Sequence, residues 1–142
     1  HKKEFIDKLK KIDSIDKQKE LLNLIGVAWV GLVKTNFNKS IDPLGKKWTD
    51  VNYIKYRNGN RVARISNPLL DTGRLVGSFS HNIQGNTLIV GTPVIYADTH
   101  QKGLNGVKRR QFLPFNNQFK GTSFQKKASQ ILEMYIDKKI KK

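Results

Sequence analysis

Residues 90–103 read VGTPVIYADTHQKG, and they predict a strand that turns sharply into a short helix. The apolar residues around Val90 are typical of a buried strand, and Gly91 tolerates backbone angles that other residues avoid. Pro93 fixes its φ angle and lacks an N–H, so the strand should end there. Beyond it, Tyr96 and His100 stand one helical turn apart, which places them on the same face of a helix. The stretch therefore predicts a defined corner.

The residues on either side of this corner predict a small antiparallel sheet. Residues 74–92 are expected to form a β-hairpin, because apolar and polar residues alternate over 75–82. Residues 84–86, Gln-Gly-Asn, have the chemistry of a hairpin turn. After the corner, residues 111–115 are apolar enough for a third short strand that pairs with the hairpin.

Two helices are predicted to flank this sheet. Apolar residues recur at intervals of three and four over 22–37 and again over 124–140, the pattern of amphipathic helices. The candidate N-terminal caps are Asp13 or Ser14 for the first helix and Thr122 or Ser123 for the second. We therefore expect a single α+β domain over residues 1–142. It would have a small antiparallel sheet (a β-hairpin plus a third strand) between a long N-terminal helix and a C-terminal helix.

The formal net charge of +16 is the most unusual bulk property of this chain of 142 residues. The last seventeen residues hold six lysines against two acids, whereas residues 21–125 hold fourteen bases against four acids. Most of the excess therefore lies on the folded body and not in a tail. Such a surface suits nucleic acid, an acidic protein partner or an anionic surface.

Two basic clusters stand out within this body. A mobile basic loop is predicted over about residues 52–68, where polar and basic residues surround the turn signal Asn58-Gly59-Asn60. This loop is either a solvated connection or a contact for DNA phosphate or an acidic surface. The basic residues of the loop and of the second cluster are Lys55, Arg57, Arg61, Arg64, Lys108, Arg109 and Arg110.

The sequence predicts neither an enzyme nor a metal or cofactor site. It has no cysteine, and none of its three histidines has a metal-ligand spacing to another histidine. Ser78, Asp98 and His100 can be drawn as a hydrolytic triad, but Ser78 lacks the glycine-flanked elbow of a nucleophile. His100 and Gln101 are instead expected to hold the corner by hydrogen bonds or to contact a neighbouring subunit. No apolar run is long enough to span a membrane.

Four segments, taken in order, are similar to those of a known family. They read DPLGKKW (42–48), LDTGRLVGS (70–78), VGTPVIYADTHQKG (90–103) and RQFLP (110–114). The family pattern contains D-P-x-G-x-x-W, L-x-x-T-G-x-L-x-x-S, V-G-[ST] with Y-A-x-x-H-Q-x-G, and R-x-F-L. Over residues 37–115 the chain thus resembles the phage virion morphogenesis family, the tail-completion proteins of Mu-like tailed phages.

The resemblance implies a homo-oligomeric ring, expected to be a hexamer, in the tail or neck of the virion and assembled in the host cytoplasm. Its partners would be its own copies, the tail tube protein, head connector or adaptor proteins and, non-specifically, packaged DNA, with no membrane and no cofactor. The basic residues would line the DNA channel or meet an acidic partner. Neighbouring copies would cover unpaired sheet edges. The candidate subunit-interface residues are Tyr96, His100, Gln101, Phe112 and Leu113.

Two alternatives remain open. A basic nucleic-acid-binding module is supported by the charge and by Tyr53, Tyr56 and Phe112, which lie among basic residues and can stack on bases. A minor head–tail adaptor of another family would differ only in its neighbours. A ring protein should assemble and bind DNA weakly, whereas a DNA-binding module should bind with a steep dependence on salt.

Overall fold

The computed structural model describes residues 14–48, 53–65, 73–106, 108–115 and 117–140. In chain order its elements are α1 (Ile15–Lys39), β1 (Tyr53–Arg57), β2 (Asn60–Ile65), α2 (Arg74–Gly77), β3 (Ser80–Gln84), β4 (Thr87–Gly91), α3 (Ala97–Lys102) and α4 (Ser123–Ile140). The strands form two separate antiparallel hairpins, β1–β2 and β3–β4. The predicted α+β class, with a long helix near each end of the chain, is confirmed.

The ends of α1 are explained by local chemistry. Ser14 caps its start, because the hydroxyl accepts a hydrogen bond from the Lys17 N–H at 3.1 Å. At its end, Ser40 takes a left-handed φ of 54° and donates its N–H to carbonyls of the last turn. The helix therefore spans the periodic run read from the sequence, and it buries Phe37 completely.

Phe37 is the centre of an aromatic core. Its ring centroid lies 5.3 Å from the centroids of Trp48 and Phe112 and 5.8 Å from that of Phe79. These four side chains come from α1, from the loop that follows it, from the residue before β3 and from the segment after α3. A single cluster thus joins parts of the chain that are far apart in sequence, and ring pairs of this kind stabilise beyond the area that they bury.

A second cluster joins α4 to α1. Its buried residues are Leu21, Leu132, Tyr135 and Ile136. The Tyr135 hydroxyl donates to the Glu20 carboxylate at 2.9 Å, so the polar end of this buried ring is satisfied. Thr122 accepts the Gln125 N–H at 3.3 Å and caps α4, as one of the two predicted caps. No helix in the described part of the chain is both long and apolar enough to cross a membrane.

The β3–β4 hairpin packs against α1 at Gly26. On β3, the His81 Nε2 lies 2.8 Å from the Asn23 Oδ1 of the helix. A Cβ atom at Gly26 would lie 2.4 Å from the His81 Cδ2 and 2.6 Å from its Cγ. The absence of a side chain at Gly26 therefore permits the imidazole to lie against the helix backbone.

Two glycines of α1 are expected to respond to alanine in opposite directions. Gly26→Ala should lower the free energy of unfolding by about 1–3 kcal/mol, because His81 must rotate away and lose its bond to Asn23. Gly31 has nothing within 4 Å of the position of an added Cβ. Gly31→Ala should therefore raise the free energy of unfolding by about 0.5–1 kcal/mol through helix propensity. Urea unfolding measures both, and equal gains would refute the contact at Gly26.

Two predictions about the strands before the corner are wrong. Residues 53–65 form the β1–β2 hairpin where we predicted a mobile basic loop over about 52–68; residues 52 and 66–68 lie outside the described residues, and the mobility of the segment stays a prediction. Its turn residues Asn58 and Gly59 both have positive φ, 52° and 79°, as a tight hairpin turn of the mirror-image type requires. Arg74–Gly77 form one helical turn, so the second hairpin begins only at Ser80 and not at residue 74. Gly73 precedes this helical turn, with a φ of 70° that favours glycine.

The predicted third strand is also wrong. Residues 111–115 pair with neither hairpin in the described part of the chain. Instead, the side chain of Gln101 in α3 forms hydrogen bonds with the backbone of Phe112 and Leu113.

Candidate assembly surface

The corner predicted around Pro93 is present, and hydrogen bonds hold it from within. The hydroxyls of Thr92 and Ser78 lie 2.5 Å apart, and the Thr92 Oγ1 also accepts the Val94 N–H at 3.1 Å. Val94 and Ala97 are buried on either side of the turn that follows. The direction in which the chain leaves β4 is therefore fixed by two side-chain hydroxyls and two apolar anchors.

Gln101 of α3 ties the corner to residues 110–114, which we call the strap. Its Oε1 accepts the N–H groups of Phe112 at 2.9 Å and Leu113 at 3.2 Å, and its Nε2 donates to the Leu113 carbonyl at 2.7 Å. One buried amide thus makes the bonds that a neighbouring strand would otherwise make. Because a side chain satisfies these backbone N–H and C=O groups, the strap does not require hydrogen bonds to the hairpin.

Two further bonds fix the strap. The Arg110 N–H donates to the His100 carbonyl at 2.8 Å, and the Trp48 indole N–H donates to the Gln111 carbonyl at 2.9 Å. The strap is therefore held both to α3 and to the core loop after α1. Consecutive backbone groups with defined partners make it a rigid segment although it has no regular secondary structure.

Gly103 ends α3 where the strap approaches most closely. Its φ is 71°, and an added Cβ would lie 2.9 Å from the backbone nitrogen of Arg109. A side chain at this position would meet both an unfavourable backbone angle and a collision with the main chain. The glycine that closes the 90–103 stretch is thus required by the geometry.

A family model for phage virion morphogenesis matches residues 3–129 of this sequence. The match covers α1, both hairpins, the corner and the strap. This chain belongs to the phage virion morphogenesis family. Its role is therefore structural, in the assembly of the virion, with which it is associated. No curated protein and no solved structure matches the chain.

The first family segment, residues 42–48, is also built for shape. The Asp42 Oδ1 accepts the N–H groups of Leu44 at 2.9 Å and Lys46 at 2.8 Å, which folds the loop onto itself. The Pro43 carbonyl accepts the Ser123 N–H at 3.1 Å, at the start of α4. Residues 42–48 thus position the start of α4 and place Trp48 in the core.

The structure brings the five predicted interface residues together around α3 and the strap. Tyr96 is 38% exposed, its ring centroid lies 6.1 Å from that of His100, and Leu113 is partly buried. Gln101 and Phe112 are buried, so they shape the surface from beneath. The part of these residues in subunit contacts stays a prediction.

The basic residues fall in two places. Lys108 and Arg109 are exposed beside the strap, whereas Arg110 is only 7% exposed. The other four lie in the β1–β2 hairpin, which the structure describes at the level of the backbone. There the register sets Ile54 against Arg64, Lys55 against Ala63, Tyr56 against Arg61 and Arg57 against Asn60. No base is directly opposite another, which avoids repulsion across the hairpin. Contact with DNA or an acidic partner stays a prediction.

Two exposed apolar residues at the ends of α3 were not predicted from the sequence. Ile95 is 93% exposed in the turn before the helix, and Leu104 is 42% exposed just after it. No sequence signal marks Ile95 as outward, because the equally apolar Val94 beside it is buried. Ile95 is thus an almost fully exposed apolar side chain on an anchored turn, which makes it a candidate contact residue.

His100 has an unusual electrostatic environment. Among the described residues, its buried Nδ1 has no hydrogen-bond partner. Burial lowers the pKa of His100 below the ordinary value of 6.5, and the positive charge of Arg110 lowers this pKa further. Both effects favour the neutral imidazole. Within the described ranges, no three histidine, aspartate or glutamate residues are grouped so that they could hold a metal ion.

The lowered pKa of His100 predicts acid sensitivity of the corner. The pKa of His100 is about 6.5 in the unfolded chain and lower in the folded protein, so between these two values the unfolded chain binds more protons. The contribution of the neutral imidazole to the free energy of unfolding is therefore complete above about pH 6.5. It is lost as the pH falls through the folded pKa. Urea unfolding of the wild type and of His100→Gln, at about pH 7.5 and 5.5, should show a smaller loss at low pH in the variant. Equal losses in both proteins would contradict this assignment.

Proposed function

We propose that this protein completes the phage tail and joins it to the head, as a homo-oligomeric ring around the DNA channel at the neck. The observation that carries the proposal is Ile95, which is almost fully exposed although the turn that bears it is anchored by buried residues on both sides. An apolar side chain held rigidly in solvent is well suited to a contact with a neighbour, because little further ordering is required on binding.

The strand edges support the same proposal. Each hairpin has only two strands, so in the described part of the chain each has outer edges without a strand partner. Unpaired edges are templates for association, and a closed ring covers them with neighbouring copies of the same chain. We expect a hexamer, with the tail tube protein on one side and head connector or adaptor proteins on the other.

The charge of the chain suits this position. A ring of copies that each carry +16 would present a strongly positive surface to the DNA that passes through it. The bases of the β1–β2 hairpin and of residues 108–110 would line that channel or meet an acidic neighbour. Contact with DNA would be non-specific, through phosphates only.

We further propose that the protein acts by contact and shape, without a catalytic step. The residues that could be drawn as a triad have other partners: the Ser78 hydroxyl bonds to Thr92, and Asp98 pairs with Lys102 at 2.9 Å. Each of these contacts serves the corner or the surface of α3. A nucleophile needs its base within hydrogen-bonding reach, and Ser78 already bonds with Thr92.

Electron microscopy of phage that carries a disrupted copy of the gene tests this proposal. We expect full heads and separate tails, with joined particles restored when the intact gene is supplied in trans. Joined, infectious particles in the absence of the protein would overturn it. A reconstruction of the neck of intact phage should then show a closed ring in which Ile95 and Tyr96 contact the next copy.

A nucleic-acid-binding module is the second candidate, and the β1–β2 hairpin is the observation that favours it. Four basic residues lie within this two-stranded ribbon of thirteen residues, and ribbons of this kind can enter a DNA groove. Sedimentation and DNA titrations at increasing salt separate the two candidates. A monomer or dimer whose DNA affinity falls steeply with salt favours the module, and an assembling protein that binds DNA weakly at physiological salt favours the ring.

A further inference from the structure

An open apolar cleft lies between β4 and the strap. Its volume is about 440 Å³, and it is lined by Trp29, Val90, Leu113, Pro114, Phe115, Phe119 and Phe124. A cleft of this size can enclose several apolar side chains of a ligand. Its walls come from α1, β4, the strap with Phe115, the segment that carries Phe119 and the start of α4, so several packed parts of the chain define its shape.

The cleft lies where the sequence predicts a third strand. Residues 111–115 were expected to pair with the hairpin, but Gln101 holds their backbone instead. In the register of β3 and β4, the two-residue turn makes Gln84 and Thr87 a hydrogen-bonded pair, so the N–H and C=O of Val90 point away from β3. No hydrogen bond from the described residues reaches these two groups. A backbone edge and an apolar surface are thus available side by side at Val90.

The stretch of sequence that supplies most of the cleft lining is rich in basic residues. Between residues 85 and 130 the only acid is Asp98, which pairs with Lys102, whereas six further bases lie in the same range. Two lining residues are close to bases in sequence: Lys120 directly follows Phe119, and Lys127 lies one helical turn after Phe124. An approaching segment with carboxylates would therefore be attracted, and a basic segment would be repelled.

We propose that this cleft binds an extended segment of a partner protein in which apolar and acidic residues alternate. The segment would add a strand beside Val90, place its apolar side chains in the cleft and direct its carboxylates to the surrounding bases. A second copy of this basic chain fits the β4 edge at Val90 less well, because like charges would approach each other, so the copies in the proposed ring would cover the other hairpin edges. The proposal goes beyond the ring and does not depend on it.

Fluorescence anisotropy with labelled model peptides tests the chemistry of the occupant. The probe is an octapeptide of alternating valine and glutamate, and its matched controls alternate valine with lysine and glycine with glutamate. At about 50 mM salt we expect the valine–glutamate peptide to bind at least about tenfold more tightly than either control. No binding of this peptide, or equal binding of either control, would overturn the proposal.

Two variants of β4 test the place of binding. Val90→Asn alters the cleft wall, whereas Ile89→Asn alters the opposite, exposed face of the same strand. We expect Val90→Asn to weaken binding at least about tenfold and Ile89→Asn to leave it within about threefold, with both variants folded by circular dichroism. Equal weakening by both would refute the site. If the chain binds the peptide but does not sediment as a ring, the cleft is supported and the ring is contradicted. If the chain sediments as a ring but does not bind the peptide, the ring is supported and the cleft is contradicted.

Discussion

Gln101→Leu is expected to lower the free energy of unfolding by about 3 kcal/mol, the largest loss that we expect from a single polar side chain here. Leucine has nearly the same size, so the change removes hydrogen bonds and leaves little cavity. The N–H groups of Phe112 and Leu113 would lose their acceptor in a buried place. Each unsatisfied donor costs about 1–3 kcal/mol. The Leu113 carbonyl would keep one donor, because the Gln111 Nε2 also reaches it at 2.8 Å.

Gln111→Leu is the matched control for this change. Gln111 donates one bond to the same carbonyl, and its loss leaves Gln101 in place, so about 1 kcal/mol or less is expected. Gln101→Glu should fall between the two variants, because it keeps an acceptor for both N–H groups but loses the donor. Urea unfolding monitored by tryptophan fluorescence measures the stability of all three variants, and Trp48, whose indole is bonded to the strap, contributes to this signal. Equal losses for Gln101→Leu and Gln111→Leu would contradict the role assigned to Gln101.

The helices, the second hairpin and the corner could be predicted because their signals are local. The 3.6-residue period gives α1 and α4, and the capping hydroxyls of Ser14 and Thr122 mark their starts. The Gln-Gly-Asn turn at 84–86 and the Thr-Pro break at 92–93 mark the two ends of β4. In each case the residues that decide the structure lie within a few positions of the structure that they decide.

The missed hairpin was also within reach of local signals. Asn58-Gly59 is the preferred pair for a two-residue turn, and Tyr53, Ile54, Val62 and Ile65 are residues with high strand propensity. The basic residues among them led to the prediction of a loop. Charged residues are common on solvated hairpins, so the turn signal should have outweighed the charge.

The error at the strap has a different origin. The apolar run at residues 111–115 does resemble a strand, and nothing nearby in sequence shows that a glutamine ten positions earlier satisfies its backbone. From the sequence, His100 and Gln101 were expected to hold the corner by hydrogen bonds or to contact a neighbouring subunit, but nothing in the sequence identified the strap backbone as the partner of Gln101. Likewise, Val94 and Ile95 are alike in sequence, and only packing shows that one is buried and the other exposed. Long-range contacts decide these cases, and a single sequence does not display them.

Ile95→Lys is expected to abolish assembly of the proposed ring while leaving the fold intact. The side chain is 93% exposed, so its replacement should change the free energy of unfolding by less than about 0.5 kcal/mol. In an interface, burial of an isoleucine stabilises by about 1.5–3 kcal/mol, and a buried lysine adds a cost of desolvation. This loss of binding free energy occurs at each subunit contact around the ring. Phage that carries the variant should accumulate full heads and separate tails, and the purified variant should sediment as a monomer.

Leu44→Lys is the control, because it adds the same charge at another exposed apolar residue. Leu44 is 66% exposed in the loop after α1, away in sequence from the corner and the strap. If the effect of Ile95→Lys came from charge alone, on a chain that already carries +16, Leu44→Lys would block assembly equally. We expect Leu44→Lys to assemble and to support joined particles. Normal assembly of Ile95→Lys would show that the corner does not contact a neighbouring copy, because a lysine could not be accommodated in a close apolar contact without loss of affinity.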